Sequence, residues 1–463
     1  MAHCSSNGAD QCDRARRRRT GPGRSGFRPA PSALTLVGPV RTLERVTTTH
    51  AAGVDPAEFF GQAAIQDPYP LYDRLRARGP VHRVGDSDFY LVCGWDAIAD
   101  AVGRVDEFSA NLTATMLYSE GTLSAFPMGE LDGPVQVLAT ADDPSHAVHR
   151  RMLVPQLAAK RIRATEPFVA EAFDRLWAEN LRDGRIEWMS AVANRLPMMV
   201  VTRLIGVPDA DVDLLIPKAY ASVQTLDGIA DPDKLAASGT AAMELSGYIF
   251  EQFRRAIAEG AQDNLLGDMA TAHAGGHIDQ VTAAVIMVIL FSAGGESTAS
   301  LLGSAAGILA QRPEIQQRLR DDPQLLGPFI EECLRFEPPF RGHYRHVRVD
   351  AELGGVRLPA GSRLLLLWGA ANRDPQQFDD PGEFRLDRPA KGHITFGKGA
   401  HFCVGAALAR LEAAVVLRRL LDRTSWIDAA DVGPWLPSIL VRRRSRLGLT
   451  VQVRDPRSVA QGV

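Results

Sequence analysis

Phe396-Gly397-Lys398-Gly399-Ala400-His401-Phe402-Cys403-Val404-Gly405 is the stretch on which the reading of this chain turns. Just after it, Val404, Ala407, Leu408, Leu411, Ala414, Val415 and Leu417 recur at helical spacing. Cys403 is therefore expected at the mouth of a helix, behind a glycine-rich loop. The free N–H groups and positive dipole end of such a helix favour thiolate over thiol. Gly397 and Gly399 permit a tight turn and leave room for a flat ligand. Gly405 lets the helix backbone pass close to it, and Phe396 can shield the sulfur from water. Taken alone, Cys403 reads equally well as a buried structural cysteine, the usual fate of a lone thiol.

The bulk properties are those of a globular protein with a large core: 463 residues, 45% hydrophobic and 23% charged. A net charge of −3 argues against a nucleic-acid binder. The five cysteines (Cys4, Cys12, Cys93, Cys333 and Cys403) are scattered and form no disulfide framework or zinc pattern, which fits a reducing cytoplasm. The first fifty residues carry nine arginines against Asp10, Asp13 and Glu44. They and the Gly, Pro and Ser that follow the arginine run read as a disordered, solvated arm over 1–54. A basic tail for nucleic acid or a membrane surface, or a misplaced start, are the other readings. No long apolar stretch follows the arginines, as a signal peptide would require.

The folded part is expected over 55–455, with a tail at 456–463. A helical pattern runs over Leu71–Arg78, and short strands are expected at Val81–Val84 and Phe89–Val92. The chain then reads as mostly helical to Leu334, with 111–128 as a loop. Strands and tight turns are expected from Val347 to Trp368, then the cysteine loop, a helix to about Asp422 and a β-rich close. The fold class is mainly α with a small β part. The longest apolar stretch, Val281–Gly295, is interrupted by Thr282 and Ser292 and ends at Glu296. It reads as a buried core helix and not a bilayer span, which needs about 20 apolar residues.

Three further groups have chemical content. Glu332 and Arg335 lie on one helix face and can pair, although a solvated surface pair is the ordinary reading of such spacing. His146 and Arg150 share a helix face within Asp142-Asp143-Pro144-Ser145-His146-Ala147-Val148-His149-Arg150-Arg151 and could hold carboxylates. A plain basic, solvated face is the alternative. Ala293-Gly294-Gly295-Glu296-Ser297-Thr298 places two glycines inside the long apolar helix, at a cost of about 1 kcal/mol each relative to alanine. They let another body approach the backbone, or permit a kink. An acid beside hydroxyls can relay protons through water.

The spacing F-G-x-G-x-H-x-C-x-G around Cys403 resembles the haem-ligand motif of the cytochrome P-450 superfamily at every fixed position. Pro338-Pro339, Ala371-Asn372-Arg373-Asp374-Pro375, Phe384 and Arg388 extend the resemblance. It implies a single cytochrome P-450 fold, a large helical region with a smaller β-rich one. It implies haem b with Cys403 thiolate as axial iron ligand and O2 as co-substrate. His146, Arg150, Arg345 and His401 would hold the haem propionates, and Phe396 and Gly405 would line the haem. Glu332, Arg335 and Arg388 would form a buried network that locks the haem loop. Glu296, Ser297 and Thr298 resemble the proton-relay motif A-G-x-[DE]-T-[ST], with Ser297 where the family usually has Thr. Serine keeps the hydroxyl but turns more freely about χ1, so peroxide leakage could rise.

The activity implied is monooxygenation of a lipophilic small molecule in the cytoplasm, with no membrane anchor and no nucleic-acid partner. No flavin, Fe–S or dinucleotide motif follows Val451, so electrons are expected from a ferredoxin and its NAD(P)H-dependent reductase. These would dock on the cysteine side near Arg151, Lys398 and Arg410. Leu290, Ala293, Gly294, Phe340 and Ile439, with the 111–128 loop, would line the substrate pocket. A peroxide-driven haem-thiolate enzyme and a non-catalytic haem carrier or sensor are the rival readings. Asn194-Arg195-Leu196-Pro197, Arg341-Gly342-His343-Tyr344-Arg345-His346 and Leu436-Pro437-Ser438-Ile439 resemble the mycobacterial cytochrome P-450 family 144, which supplies no substrate.

Overall fold

The computed structural model describes residues 53–128, 136–229, 232–260, 262–389 and 392–454. All of these belong to one compact unit, Thr48–Val463. Nearly all of the expected arm, and the 456–463 tail, lie outside the described residues.

Helices dominate the first two thirds of the unit. α1 (Pro56–Phe59), α2 (Gln62–Gln66), α3 (Tyr69–Arg78) and α4 (Trp95–Gly103) are followed by α5 (Ser145–Leu153), α6 (Ala159–Ala164) and α7 (Glu166–Asn180). Then come α8 (Leu196–Ile205), α9 (Val212–Ser222), α10 (Pro232–Glu259) and α11 (Leu265–Ala274). α12 (Gln280–Gln311), α13 (Pro313–Asp321), α14 (Leu326–Phe336), α15 (Trp368–Ala371) and α16 (Ala406–Arg423) complete the set. α12 is apolar nearly all round, so it can be stable only when covered on most sides. Asp279 caps it by accepting from Thr282 N. Its second half, Thr298–Gly307, is buried throughout, as expected of a core helix.

Strands β1 (Val81–Arg83), β2 (Phe89–Val92), β3 (Phe108–Ser109), β7 (His343–Val347) and β10 (Arg363–Leu366) form a sheet in the order β1-β2-β10-β7-β3. Only β2 and β10 run parallel, which requires the chain to return from Val92 to Arg363 across the whole helical region. β4 (Ala114–Ser119) and β5 (Thr122–Pro127) make a hairpin, as do β8 (Ala351–Leu353) and β9 (Val356–Leu358). β6 (Arg185–Glu187) joins β11 (Thr424–Val432) and β12 (Leu447–Val453) in a separate three-stranded sheet.

The 111–128 segment corrects the sequence reading. It is a tight hairpin and not a loop, with Ser119 opposite Thr122. Glu120 and Gly121 both turn at positive φ, 50° and 78°. That matches a two-residue primed turn, in which glutamate is an unusual first residue.

Gly294 and Gly295 serve close helix packing. A Cβ on Gly294 would lie 2.7 Å from Val201 Cγ2 on α8, and one on Gly295 would overlap Met198 Sδ on the same helix. α12 runs on as one uninterrupted helix, and the close approach of α8 accounts for the glycines. Gly294→Ala is predicted to destabilise the fold. Overpacking against a stiff valine costs about 1–3 kcal/mol. The gain in helix propensity returns only about 1 kcal/mol. Thermal denaturation will show a lower midpoint; an unchanged or raised midpoint would mean that α8 yields freely.

The C-terminal segment ties back to the start of the unit. The Arg341 and Arg442 guanidiniums are buried, and together they donate to the carbonyls of Ala64, Ile65 and Gln66 at the end of α2. Arg442 also bonds Glu337 at 2.7 Å. Carbonyls at a helix end lack partners in their own helix, and buried ones must find them elsewhere.

A candidate active site around Cys403 and the long helix

The cysteine loop is held by its own backbone. Cys403 N donates to Phe396 O at 2.8 Å, and Gly397 N to Ile394 O at 2.8 Å. Gly397 and Gly399 have φ of 72° and 70°, the left-handed region that glycine adopts without strain. Gly399–His401 form one 3-10 turn, and Gly405 is the N-cap of α16. The Gly405 and Ala406 N–H groups face the Cys403 sulfur.

They favour the thiolate, as the sequence reading expects, and burial opposes them. Cys403 has one open flank. The protein packed around the rest of it pushes the thiol pKa up, and the two N–H groups, Arg150 and Arg410 only partly offset this. A cation at the sulfur is the partner that makes it a thiolate.

Beside the loop lies a cluster of donors. His146 on α5 and His401 face each other with ring centres 4.0 Å apart. Arg150 on α5 donates to Phe402 O at 2.8 Å. Arg345 on β7 is buried, and among the described residues its side chain has one hydrogen bond, to Tyr344 O at 2.9 Å. Burial pushes Arg345 down to about 10, with only Asp142 opposing. Burial, then Arg345 and His146, push His401 down to about 4, and its Nδ1 is buried without a partner. Asp142 is already engaged by Ser109, Ala110 N and Arg348. Among the described residues no carboxylate pairs with Arg345. A buried arginine and an orphaned imidazole nitrogen beside a cysteine fit a ligand that brings carboxylates and a metal.

The structure brings Glu332, Arg335 and Arg388 together. Glu332 takes a two-pronged bond from Arg335, at 2.7 and 2.8 Å, and Arg388 Nε at 3.1 Å. Arg335 also donates to the carbonyls of Asn372, Pro381 and Glu383, each at 2.9 Å. Asn372 then bonds Ile394 N and Thr395 Oγ1, at the root of the cysteine loop. Arg410 is not the free surface contact that the sequence suggested. Glu331 holds it at 2.6 and 2.8 Å, and it lies over the Phe396 ring. Arg151 and Lys398 are exposed on this side.

On α12 the relay candidates part. Leu290, Ala293 and Ser297 follow one helix face that is open, with Ala293 exposed in the middle of the helix. Ser297 Oγ donates back to Ala293 O at 2.8 Å. Glu296 and Thr298 are buried. Glu296 meets Arg443 Nη2 at 3.3 Å, and Arg443 also reaches Asn194 Oδ1 at 3.2 Å and lies over the Tyr220 ring. Burial pushes Glu296 up to about 7; Arg443 opposes this and Asp227 adds to it. Sequence reasoning missed Arg443, 147 residues away.

The side-chain direction of Gly294 points at α8. Ile439 is buried next to Gly228, in the same core cluster as Phe60. Phe340 lies against His343 with ring centres 5.5 Å apart. The hairpin is joined to the α9–α10 connection by Tyr118 N to Gly228 O, 2.8 Å, and Asp227 O accepts from Ile439 N at 2.9 Å.

A mainly helical fold with a glycine-turned cysteine loop beside a buried arginine and an orphaned imidazole fits the class of haem-thiolate oxygenases. The family model for cytochrome P450 matches residues 242–447. The chain belongs to the cytochrome P450 family. It is 66% identical over 400 residues to Cytochrome P450 144 of Mycobacterium tuberculosis, covering 86% of this chain and 92% of that protein. It is 34% identical to the cytochrome P450 monooxygenase PikC of Streptomyces venezuelae, over 82% and 90% of the two chains. The structure of CYP109Q5 from Chondromyces apiculatus superposes with a TM-score of 0.74 at 27% identity, over 87% and 99%. The chain is thus a monooxygenase that uses haem with an axial cysteine thiolate, Cys403, and O2 as co-substrate.

Proposed function

We propose that this enzyme inserts one oxygen atom of O2 into a lipophilic small molecule in the cytoplasm, with electrons from a separate ferredoxin and its NAD(P)H-dependent reductase. The observation that carries this reading is the open face of α12 with Leu290, Ala293 and Ser297 on it, next in sequence to Glu296, which burial pushes up to about 7. Haem supplies the oxygen activation when bound. The residues of this chain supply the rest. Cys403 holds the iron, with the Gly405 and Ala406 N–H groups turned to its sulfur. Arg345, Arg150, His146 and His401 take the propionates, whose charge the buried Arg345 otherwise lacks. Glu332, Arg335 and Arg388 fix the loop through Asn372. Glu296 stores a proton and Ser297 passes it on through water; Thr298, buried, is the weaker candidate. Leu290 and Ala293 give the substrate an apolar wall. Arg151 and Lys398 face an acidic electron donor.

Below about pH 7 Glu296 carries a proton to give; above it the carboxylate has none. Glu296→Gln is predicted to slow turnover on the order of 10²-fold and to remove the limb of the rate profile that falls above neutrality. The haem spectrum should not move. An unaltered rate and profile would exclude Glu296 from the relay. The substrate class is tested with lipophilic ligands, scored by the low- to high-spin change of the haem. A wholly unresponsive panel, together with no ligand-driven O2 uptake, would count against monooxygenation of lipophilic compounds.

A further inference from the structure

We propose that His343 is a further haem-binding residue of this chain, donating from Nε2 to a haem carboxylate beside Arg345. His343 and Arg345 are two apart on β7, so both project from the same face of the strand. Trp368 Nε1 lies 2.6 Å from His343 Nδ1. An indole N–H can only donate, so Nδ1 must be the bare, accepting nitrogen. A neutral imidazole then carries its proton on Nε2. Burial, with Arg345 and His401 nearby, keeps this ring neutral, its pKa pushed down to about 4.

Trp368 therefore fixes His343 as a donor. No described residue accepts a hydrogen bond from Nε2. Arg345 has one carbonyl for its five N–H groups, and the buried Nδ1 of His401 has no partner. The nearby carboxylates are already committed. Asp142 is held by Ser109, Ala110 N and Arg348, and Asp143 by Ala147 N and His146. Haem brings carboxylate oxygens to this cluster. The pair His343–Trp368 adds an oriented neutral donor that a sequence pattern of arginines and histidines does not reveal.

The inference rests on the proposed assignment of Arg345 to the propionates, and the test separates the two. Haem transfer from the holoenzyme to excess apomyoglobin is followed for His343→Leu, His343→Gln, Trp368→Phe and Arg345→Met. Resonance Raman spectra of the propionate bending modes are recorded alongside. His343→Leu should release haem roughly tenfold faster, the loss of one hydrogen bond to a charged group, and shift a propionate band. His343→Gln, which keeps an N–H donor, should stay near wild type. Trp368→Phe, which frees the tautomer, should fall between. If His343→Leu holds too little haem to study, an intermediate Trp368→Phe still supports the proposal. Wild-type release and an unmoved band in both His343→Leu and Trp368→Phe would overturn it, provided that Arg345→Met speeds release. Should Arg345→Met also leave release unchanged, the propionate assignment itself fails.

Discussion

Cys403→Ala will leave a folded protein without its characteristic pigment chemistry. The reduced, carbon-monoxide difference spectrum will lose the thiolate-type Soret band, and turnover will drop to the background without enzyme. The reason is specific to this loop. Its shape comes from Cys403 N to Phe396 O, Gly397 N to Ile394 O and two left-handed glycines, and none of these uses the sulfur. Far-UV circular dichroism should therefore stay as it was. The protein alone pushes the Cys403 thiol pKa up, so haem iron and thiolate stabilise each other, and neither has a substitute nearby. A variant that kept the Soret band would place the ligand elsewhere.

The second large effect is expected far from the iron. Glu332→Gln keeps the shape of the side chain and removes its charge. Arg335 and Arg388 are then left without the carboxylate that balances both. Surface pairs of this kind are worth under about 1 kcal/mol. Here Glu332 and Arg335 are 5% and 2% exposed, and breaking such a buried pair costs about 3–5 kcal/mol. Against a typical total of about 5–15 kcal/mol, that is a large fraction. Urea unfolding should shift to much lower denaturant, and haem should leave sooner, because Asn372 links Arg335 to the root of the cysteine loop. A midpoint within error of wild type would mean that the network contributes little to folding.

What the sequence made legible was whatever lies close together along the chain. The cysteine motif spans ten residues, and its loop turns on glycines that can be read directly. Glu332 and Arg335 are three apart on a helix. Arg388 and Arg345 could be joined to them only through family resemblance, because nothing local says where those arginines point. Arg443 beside Glu296, and Trp368 beside His343, depend on tertiary packing and leave no trace in periodicity. The β4–β5 hairpin was missed because its turn uses Glu120 where asparagine or aspartate would have given a signal. The helix terminus that favours the Cys403 thiolate is visible in sequence; the burial that opposes it is not. The two glycines of α12 were read correctly as serving a close approach, but the body that approaches is α8.

The arginine ties between the end of α2 and the C-terminal segment bear on how the chain is made. Arg442 holds the carbonyls of Ile65 and Gln66 across as many as 377 positions. At about 5–20 residues per second, a ribosome needs roughly 20–75 s to travel that far. For most of that interval α2 lacks both arginines that take its last carbonyls, and β2 has no parallel neighbour. The amino-proximal part of the fold must wait for late-synthesised residues, so contacts of this range make folding slow and leave a nascent chain exposed to aggregation. Chaperone supply during expression therefore matters to the yield of this enzyme.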